Sequence, residues 1–141
     1  MKMYLIHRKA YLEYKQSQKT VQRILNEREV LFQKTQPRSP SYADKVQGGT
    51  KVNKTEEYVI DLERRRIKER LTEAEEIMKE RQMLLELYET ELRKSKNLYD
   101  VVYTARWIDG KKPEAIADET FYSRSHIYNI IKRISTQIER I

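Results

Sequence analysis

The chain has 141 residues, of which 36% are charged and 38% are hydrophobic, so we expect either one compact domain or one small domain with a long helical extension. Three glycines and three prolines favour long uninterrupted helices, and the absence of cysteine excludes disulfides and thiolate metal sites. The net charge of +7 favours a polyanionic partner. The N-terminus has no sustained apolar run that would predict a signal peptide or a membrane span, so we expect a cytoplasmic protein without a membrane partner.

Residues 1–36 predict an N-terminal basic helix, since they carry 8 Lys or Arg against 3 Asp or Glu. Their apolar and aromatic residues recur at spacings close to three and four, which predicts a packing stripe. The stripe consists of Tyr4, Tyr11, Tyr14, Val21, Leu25 and Phe32. The helix is either a solvated element that packs through its tyrosines or a contact surface for a polyanion.

Residues 37–53, with the sequence PRSPSYADKVQGGTKVN, are predicted to be a loop or linker. Two prolines, the pair Gly48-Gly49 and scattered Ser and Asn residues do not sustain a helix. The paired glycines are not followed by the Lys-Ser/Thr pair of a phosphate-binding loop. The segment is expected to let the next helix fold back on the first.

Residues 54–93 predict a long charged helix, with Glu56 and Glu57 in the first turn, where the helix dipole favours acids. Apolar residues approximate a heptad seam along it, at Ile60, Ile67, Ala74, Ile77, Leu84 and Tyr88. The spacing leaves open whether the segment is one helix or two. Because a long helix cannot bury its stripe alone, it must pack on the first helix, on a copy of itself, or on both. We therefore expect this segment to support a homodimer or a higher homo-oligomer.

Residues 94–141 predict a small helical domain. Its first helix, at 95–110, has inward-facing residues at Leu98, Val101, Val102, Ala105 and Ile108, and Trp107 is expected to join the core. Gly110 is placed to end this helix in a left-handed conformation. Pro113 then opens the next helix at its first position, with Glu114 in the first turn.

The stretch from Pro113 to Ile134 predicts a helix-turn-helix. Ala117 lets a second helix cross closely, residues 121–123 form the turn, and Ser123 caps the second helix. The second helix has a buried stripe at Ile127, Ile130, Ile131 and Ile134. Phe121 occupies the position where many such motifs carry a turn glycine, so we expect this turn to use a different geometry. The predicted fold is all-α, with a long coiled-coil-like helical hairpin followed by a C-terminal helix-turn-helix.

The other face of the second helix is rich in hydrogen-bond donors, as expected of a recognition helix in a DNA major groove. The DNA-binding residues predicted on this face are Arg124, Ser125, Tyr128, Asn129, Lys132 and Arg133. Double-stranded DNA is therefore the expected partner, and the basic first helix becomes a candidate for a second contact with the DNA backbone.

Catalysis is not expected. The two histidines, His7 and His126, are 119 residues apart, and no patterned acidic residues surround either of them. A metal site or a catalytic triad needs side chains that converge, and nothing in the sequence predicts such convergence. No catalytic residue, metal ligand or cofactor is therefore predicted.

The segment IDGKKPEAIADETFYSRSHIYNIIKRIS resembles the helix-turn-helix of sigma-70 region 4. The whole layout, with a helical N-terminus, the loop SPSYADKVQGG, a long charged helix and a C-terminal YSRSHIYNIIKRI, is similar to phage-encoded transcriptional regulators of the RinA/ArpU type. The resemblance is residue-specific from about Tyr103 to Ser135, and by position it implies that Ser123 also faces DNA. It implies a DNA-binding activator of phage or prophage genes, often late or packaging genes, that acts with host RNA polymerase in the bacterial cytoplasm.

Two other functions remain open from the sequence. A phage assembly or DNA-packaging component, similar to a small terminase subunit, also combines helix-turn-helix and coiled-coil elements and forms rings. A helical adaptor without a nucleic-acid role would use Arg124 and Lys132 against an acidic protein partner. A ring-sized mass in solution favours the packaging component. Arg124→Ala and Lys132→Ala separate the regulator from the adaptor, since they should cut DNA binding by a regulator and leave its oligomer mass unchanged.

Overall fold

A computed structural model describes residues 2–35 and 54–141 of the chain, and these residues form helices with no strand among them. The elements are α1 (Met3–Thr35), α2 (Lys54–Lys94), α3 (Leu98–Tyr103), α4 (Pro113–Thr120) and α5 (Arg124–Glu139), and α3 continues into a π-helical turn at Thr104–Ile108. The all-α prediction is confirmed. The predicted loop at 37–53 lies outside the described residues. In the described part of the chain, no helix is both long and apolar enough to cross a lipid bilayer.

The chain divides into two compact units. The first unit joins Met1–Gln16 to Lys79–Ile141, and we call it the helix-turn-helix unit. The second unit is Ser17–Met78, the hairpin unit. Since α1 and α2 each contribute a segment to both units, the beginning of the sequence folds together with its end.

In the hairpin unit, α1 and α2 pack against each other in antiparallel directions. Val21 and Ile24 of α1 and Ala74 of α2 form a small buried core, and Ala74 allows a close approach because its side chain is short. At the surface, the Arg70 guanidinium donates to the Glu27 carboxylate at 2.7 Å, and this hydrogen bond holds the pKa of Glu27 below its usual value. An exposed ion pair of this kind contributes little to stability. The core therefore holds the hairpin, as the sequence predicts.

The long helix α2 is continuous, but its buried side differs from the predicted heptad seam. Ile77 and Leu84 are 46% and 42% exposed, so α1 does not bury these two members of the predicted seam. At about 100° per residue they lie roughly 60–80° around the helix from Ala74. A straight helix drifts away from a seven-residue repeat, and α1 covers only one side of α2. Phe32 of α1 is likewise exposed rather than part of the predicted stripe.

The core of the helix-turn-helix unit includes residues from both ends of the sequence. Tyr4 from α1 and Leu92 from α2 are almost completely buried in it, and the Tyr4 hydroxyl donates to the side-chain carbonyl of Gln137 on α5. The other buried members come from α3, the π-helical turn, α4 and α5: Val102, Tyr103, Ala105, Ile116, Ala117, Ile127, Ile130 and Ile134. The start of α1 is therefore a structural part of this unit.

A cluster of rings connects α1 with α3. His7 is buried, and its Nδ1 lies 2.8 Å from the hydroxyl of Tyr103. Burial lowers the pKa of His7 below its ordinary value and raises the pKa of Tyr103 to about 12. Trp107 stacks on Tyr103 with ring centroids 5.4 Å apart, which confirms its predicted place beside the core. Gly110 follows with a φ of 69°, the left-handed conformation predicted for it.

Candidate nucleic-acid interface

The first helix of the helix-turn-helix, α4, begins as predicted. Pro113 is in its first turn, where the missing N–H of proline costs no hydrogen bond, and Glu114 lies beside it. Ile116 and Ala117 are buried against α5. These contacts fix the position of α4 on α5. Residues 123–126, at the N-terminal end of α5, are exposed.

The turn between the helices contains one correction to the sequence analysis. Phe121 ends α4 with φ 62° and ψ 20°, so the turn uses the left-handed conformation of a turn glycine, and the expected change of geometry is wrong. Its side chain is 95% exposed. Ser123 is extended, and its hydroxyl accepts from the backbone N–H of His126 at 3.2 Å. The predicted cap is therefore confirmed, and α5 begins at Arg124.

The buried stripe of α5 determines which of its residues face solvent. Ile127, Ile130 and Ile134 are at most 2% exposed, and Ile131, the fourth member of the predicted stripe, is partly buried and packs against the same core. At about 100° per residue, the opposite side of the helix is centred on Ser125, Asn129 and Lys132, and the structure places all three at the surface. A straight helix with one buried face and one open face can enter a groove without rearranging the core.

All seven predicted DNA-binding residues are exposed, and the structure brings them together on α5 and its cap. They are Ser123, Arg124, Ser125, Tyr128, Asn129, Lys132 and Arg133. The side chains of three members already have partners within the chain. Ser123 caps α5, the Tyr128 hydroxyl donates to Glu114 Oε1 at 2.6 Å, and Arg133 Nη1 donates to the Tyr99 hydroxyl at 3.1 Å.

Glu114 introduces a negative charge beside this face. The hydrogen bond from Tyr128 is the main reason that the pKa of Glu114 lies below its usual value, and the cations Arg124 and Lys112 act in the same direction. The same bond raises the pKa of Tyr128. Since a carboxylate repels phosphates, Glu114 is better placed to connect α4 with α5 than to contact a nucleic acid.

The cations of α5 take part in no ion pair with the carboxylates of the described residues. Among the described residues, the ion pairs join Arg70 to Glu27, Arg93 to Glu89 and Asp109, Lys94 to Glu91, and Lys111 to Glu119. Arg124, Lys132 and Arg133 are in none of them. Their charges therefore remain available to an anion in solution.

Sequence reasoning missed the residues that position this face from other elements. Glu114 and Tyr99 contact α5 across separations of 14 and 34 residues in the chain. The only sequence signal for Glu114 is its place in the first turn of α4, which predicts a dipole interaction rather than a partner on α5. Tyr99 has no such signal, because periodicity indicates which side of a helix is apolar and not which side chain will meet it.

The arrangement offers donors and positive charge to a polyanion. In residues 2–35 and 54–141, no three His, Asp or Glu side chains lie together as a metal site requires. Comparison of the chain with protein-family models, with curated proteins and with solved structures finds no match.

Proposed function

We propose that the protein is a sequence-specific DNA-binding transcriptional regulator, without enzymatic activity, that inserts α5 into the major groove. The observation that carries the proposal is the division of α5 into a fully buried face and an exposed face. Ile127, Ile130 and Ile134 form the buried face, whereas the exposed face holds amide, hydroxyl and cationic side chains without carboxylate partners for its cations. The buried face packs into the core of the helix-turn-helix unit, and the exposed face offers donors and positive charge to a polyanionic ligand.

The exposed residues fall into two roles by their chemistry. Arg124 and Asn129 have the planar donor groups that recognise guanine and adenine edges, so we assign base recognition to them, with Ser125 beside them. Lys132 is a flexible point charge and is assigned to a phosphate. Tyr128 is held by Glu114, so its role is to connect α4 with α5 rather than to select a base.

The finer biological assignment rests on the resemblance of YSRSHIYNIIKRI to phage regulators with a region-4-like helix-turn-helix. On that basis the regulator activates phage or prophage genes, with late or packaging genes as the first candidates. It acts with host RNA polymerase in the bacterial cytoplasm. As a homodimer, it would bind half-sites separated by multiples of about 10 base pairs.

The test is binding of the purified protein to DNA fragments from the neighbourhood of its own gene, at two salt concentrations. Removing a side chain that binds a base edge costs about 1–3 kcal/mol, so the double variant Arg124→Ala/Lys132→Ala is expected to bind its site about a hundredfold more weakly. Arg65→Ala/Lys68→Ala removes one Arg and one Lys from exposed positions of α2 in the hairpin unit, and this control should bind normally.

Absence of site-selective binding, or binding indifferent to the α5 substitutions, would contradict the proposal. The same samples should be measured by light scattering. A ring-sized mass without site-selective DNA binding would support a packaging component instead. Unchanged oligomer mass in the double variant would show that the weaker binding concerns the DNA contact alone.

A further inference from the structure

A second cationic feature lies in the helix-turn-helix unit, where the N-terminal end of α1 meets α3 and the C-terminal half of α5. These elements form an open cleft of about 480 Å³. Four cations line it: Lys2, Lys132, Arg133 and Arg140. The residues lining this cleft, which we call the basic cleft, include no Asp or Glu.

Two of these cations are positioned by Tyr99. Lys2 Nζ lies 5.0 Å from the centroid of the Tyr99 ring, and Arg133 Nη1 donates to the Tyr99 hydroxyl at 3.1 Å. The Tyr99 ring in turn stacks on Tyr4, with centroids 6.4 Å apart and planes 16° apart. An aromatic ring or a hydroxyl can hold a cation without neutralising it. Both side chains are therefore positioned at one cleft with their full positive charge.

The charge of the basic cleft is unbalanced. Its four cations take part in none of the ion pairs of the described residues, whereas Arg70, Arg93 and Lys111 each have a carboxylate partner. Like charges in one concavity repel each other, and a cleft concentrates their field. An anion that occupies the cleft removes this repulsion and gains from every cation at once.

We propose that the basic cleft binds phosphate groups of the DNA backbone beside the groove that α5 enters, a role that rests on the proposed function above. Lys132 and Arg133 belong to both the exposed face of α5 and the cleft, so the positive surface is continuous. Four cations need several anionic groups to balance them. A DNA strand supplies successive phosphates, one for about every 3.4 Å of helix axis, whereas a single free phosphate leaves most of the charge unpaired.

Lys2 and Arg140 acquire a role from this geometry that the recognition helix alone does not provide. They lie outside the base-reading part of α5, so they position the protein on the duplex and carry no sequence information. Their removal should weaken binding to the specific site and to unrelated DNA by the same factor. It should also lower the dependence of binding on salt, because fewer counterions are released.

The experiment compares the wild-type chain with Lys2→Gln/Arg140→Gln in titrations of site DNA and unrelated DNA over a series of salt concentrations. The slope of log K against log salt should fall by about 2, close to 0.9 for each phosphate that is no longer neutralised. Both residues are exposed, so the fold should be unaffected, as circular dichroism and the melting temperature can verify. Arg65→Gln/Lys68→Gln, on α2 in the hairpin unit, is the matched control and should keep the wild-type slope.

The possible failures differ from one another. An unchanged slope, or weaker binding confined to site DNA, overturns the backbone contact, while Arg124→Ala, which lies outside the basic cleft, still tests the recognition helix. Wild-type protein that does not bind DNA overturns both proposals. A titration with inorganic pyrophosphate, followed by the NMR signals of Tyr99, then identifies the source of the phosphate: saturation by pyrophosphate without any DNA binding would make free anions the ligand and contradict a DNA contact.

Discussion

At the scale of single residues, Phe121 is the least expected feature of the molecule. Its backbone is left-handed, and its ring is almost entirely in solvent. The left-handed conformation costs an L-residue other than glycine about 1–2 kcal/mol, and the exposed ring regains little of that through packing. The turn requires this conformation, because only residues 121–123 connect the end of α4 at Thr120 to the start of α5 at Arg124. Glycine would satisfy the requirement without strain.

Replacing Phe121 by glycine and by alanine measures this strain directly. Both substitutions remove the ring, so the difference between them reports the backbone alone. We expect Phe121→Gly to be more stable than Phe121→Ala by about 1 kcal/mol, the reverse of the order inside a helix. Urea unfolding with equal slopes gives the two free energies. The same pair at Asp118, exposed in α4, should show alanine as the more stable residue, and an equal or better alanine at position 121 would contradict the strain.

At the scale of elements, local signals predict α5 well. Ser123 and the spacing of Ile127, Ile130 and Ile134 determine where α5 begins and which side is buried, and both predictions are confirmed. Gly110 likewise lies just after the end of the π-helical turn, and Pro113 marks the start of α4. These features depend on residues a few positions apart, so the sequence contains the information that they need.

Contacts between distant elements are not predictable in the same way. Spacing assigns Tyr4 to a packing stripe, but it does not indicate that the Tyr4 hydroxyl reaches Gln137, 133 residues away. The same limit applies to Ile77 and Leu84, since the pattern shows that α2 has apolar residues without showing how much of its circumference α1 covers. Periodicity identifies an apolar side, whereas the partner of that side depends on the whole fold.

The contact between α1 and α3 should make the stability of the fold sensitive to pH. Burial holds the pKa of His7 below its ordinary value, with Arg8 acting in the same direction and Glu89 in the opposite one. The unfolded chain therefore takes up a proton near pH 6.5, and the folded chain only at lower pH. Stability is complete above about pH 6.5 and falls as the pH decreases below it. A protonated imidazole has no acceptor nitrogen, so Nδ1 can then only donate to the Tyr103 hydroxyl.

The melting temperature should therefore be lower at pH 5.5 than at pH 7.5, by on the order of 3 °C for each kcal/mol of stability that protonation removes in a chain of this size. His7→Asn keeps a polar atom near the position of Nδ1 but does not titrate in this range, so its melting temperatures at the two pH values should agree more closely. His126→Gln changes the exposed histidine and should retain the wild-type fall. An equal fall in His7→Asn would assign the pH dependence to other groups.

At the scale of the whole molecule, folding changes how charge is distributed. Along the sequence, the positive charge lies near the two ends, with +5 in residues 1–36 and +3 in residues 94–141, while residues 37–93 carry −1. Because the start of α1 belongs to the helix-turn-helix unit, positive groups from both ends of the sequence come together there. Lys2 and Arg133 are an example, since one comes from each end of the sequence and both contact Tyr99. The long helices therefore have a second role besides forming the hairpin.

The helix-turn-helix unit also exposes apolar residues of α2 that α1 does not cover. Met83 and Leu87 are 70% and 55% exposed and lie one turn apart, with Leu84 beside them. A long helix with an uncovered apolar side is stabilised by packing against a copy of itself. We expect the wild-type protein to form a homo-oligomer in solution, with a mass of at least twice the 17.1 kDa of one chain.

The double variant Met83→Lys/Leu87→Lys should return the protein to a single chain, because two ammonium groups cannot be buried without partners. Gln82→Lys/Glu86→Gln adds the same charge of +2 on a different side of the same helix, so this control should keep the wild-type mass. Sedimentation equilibrium distinguishes the two outcomes. If the wild type is already a single chain, or if both variants retain its mass, the exposed side of α2 is not the surface that joins copies. If only Met83→Lys/Leu87→Lys dissociates, its DNA affinity should fall as well, since a dimer holds two recognition helices on two half-sites and a single chain holds one.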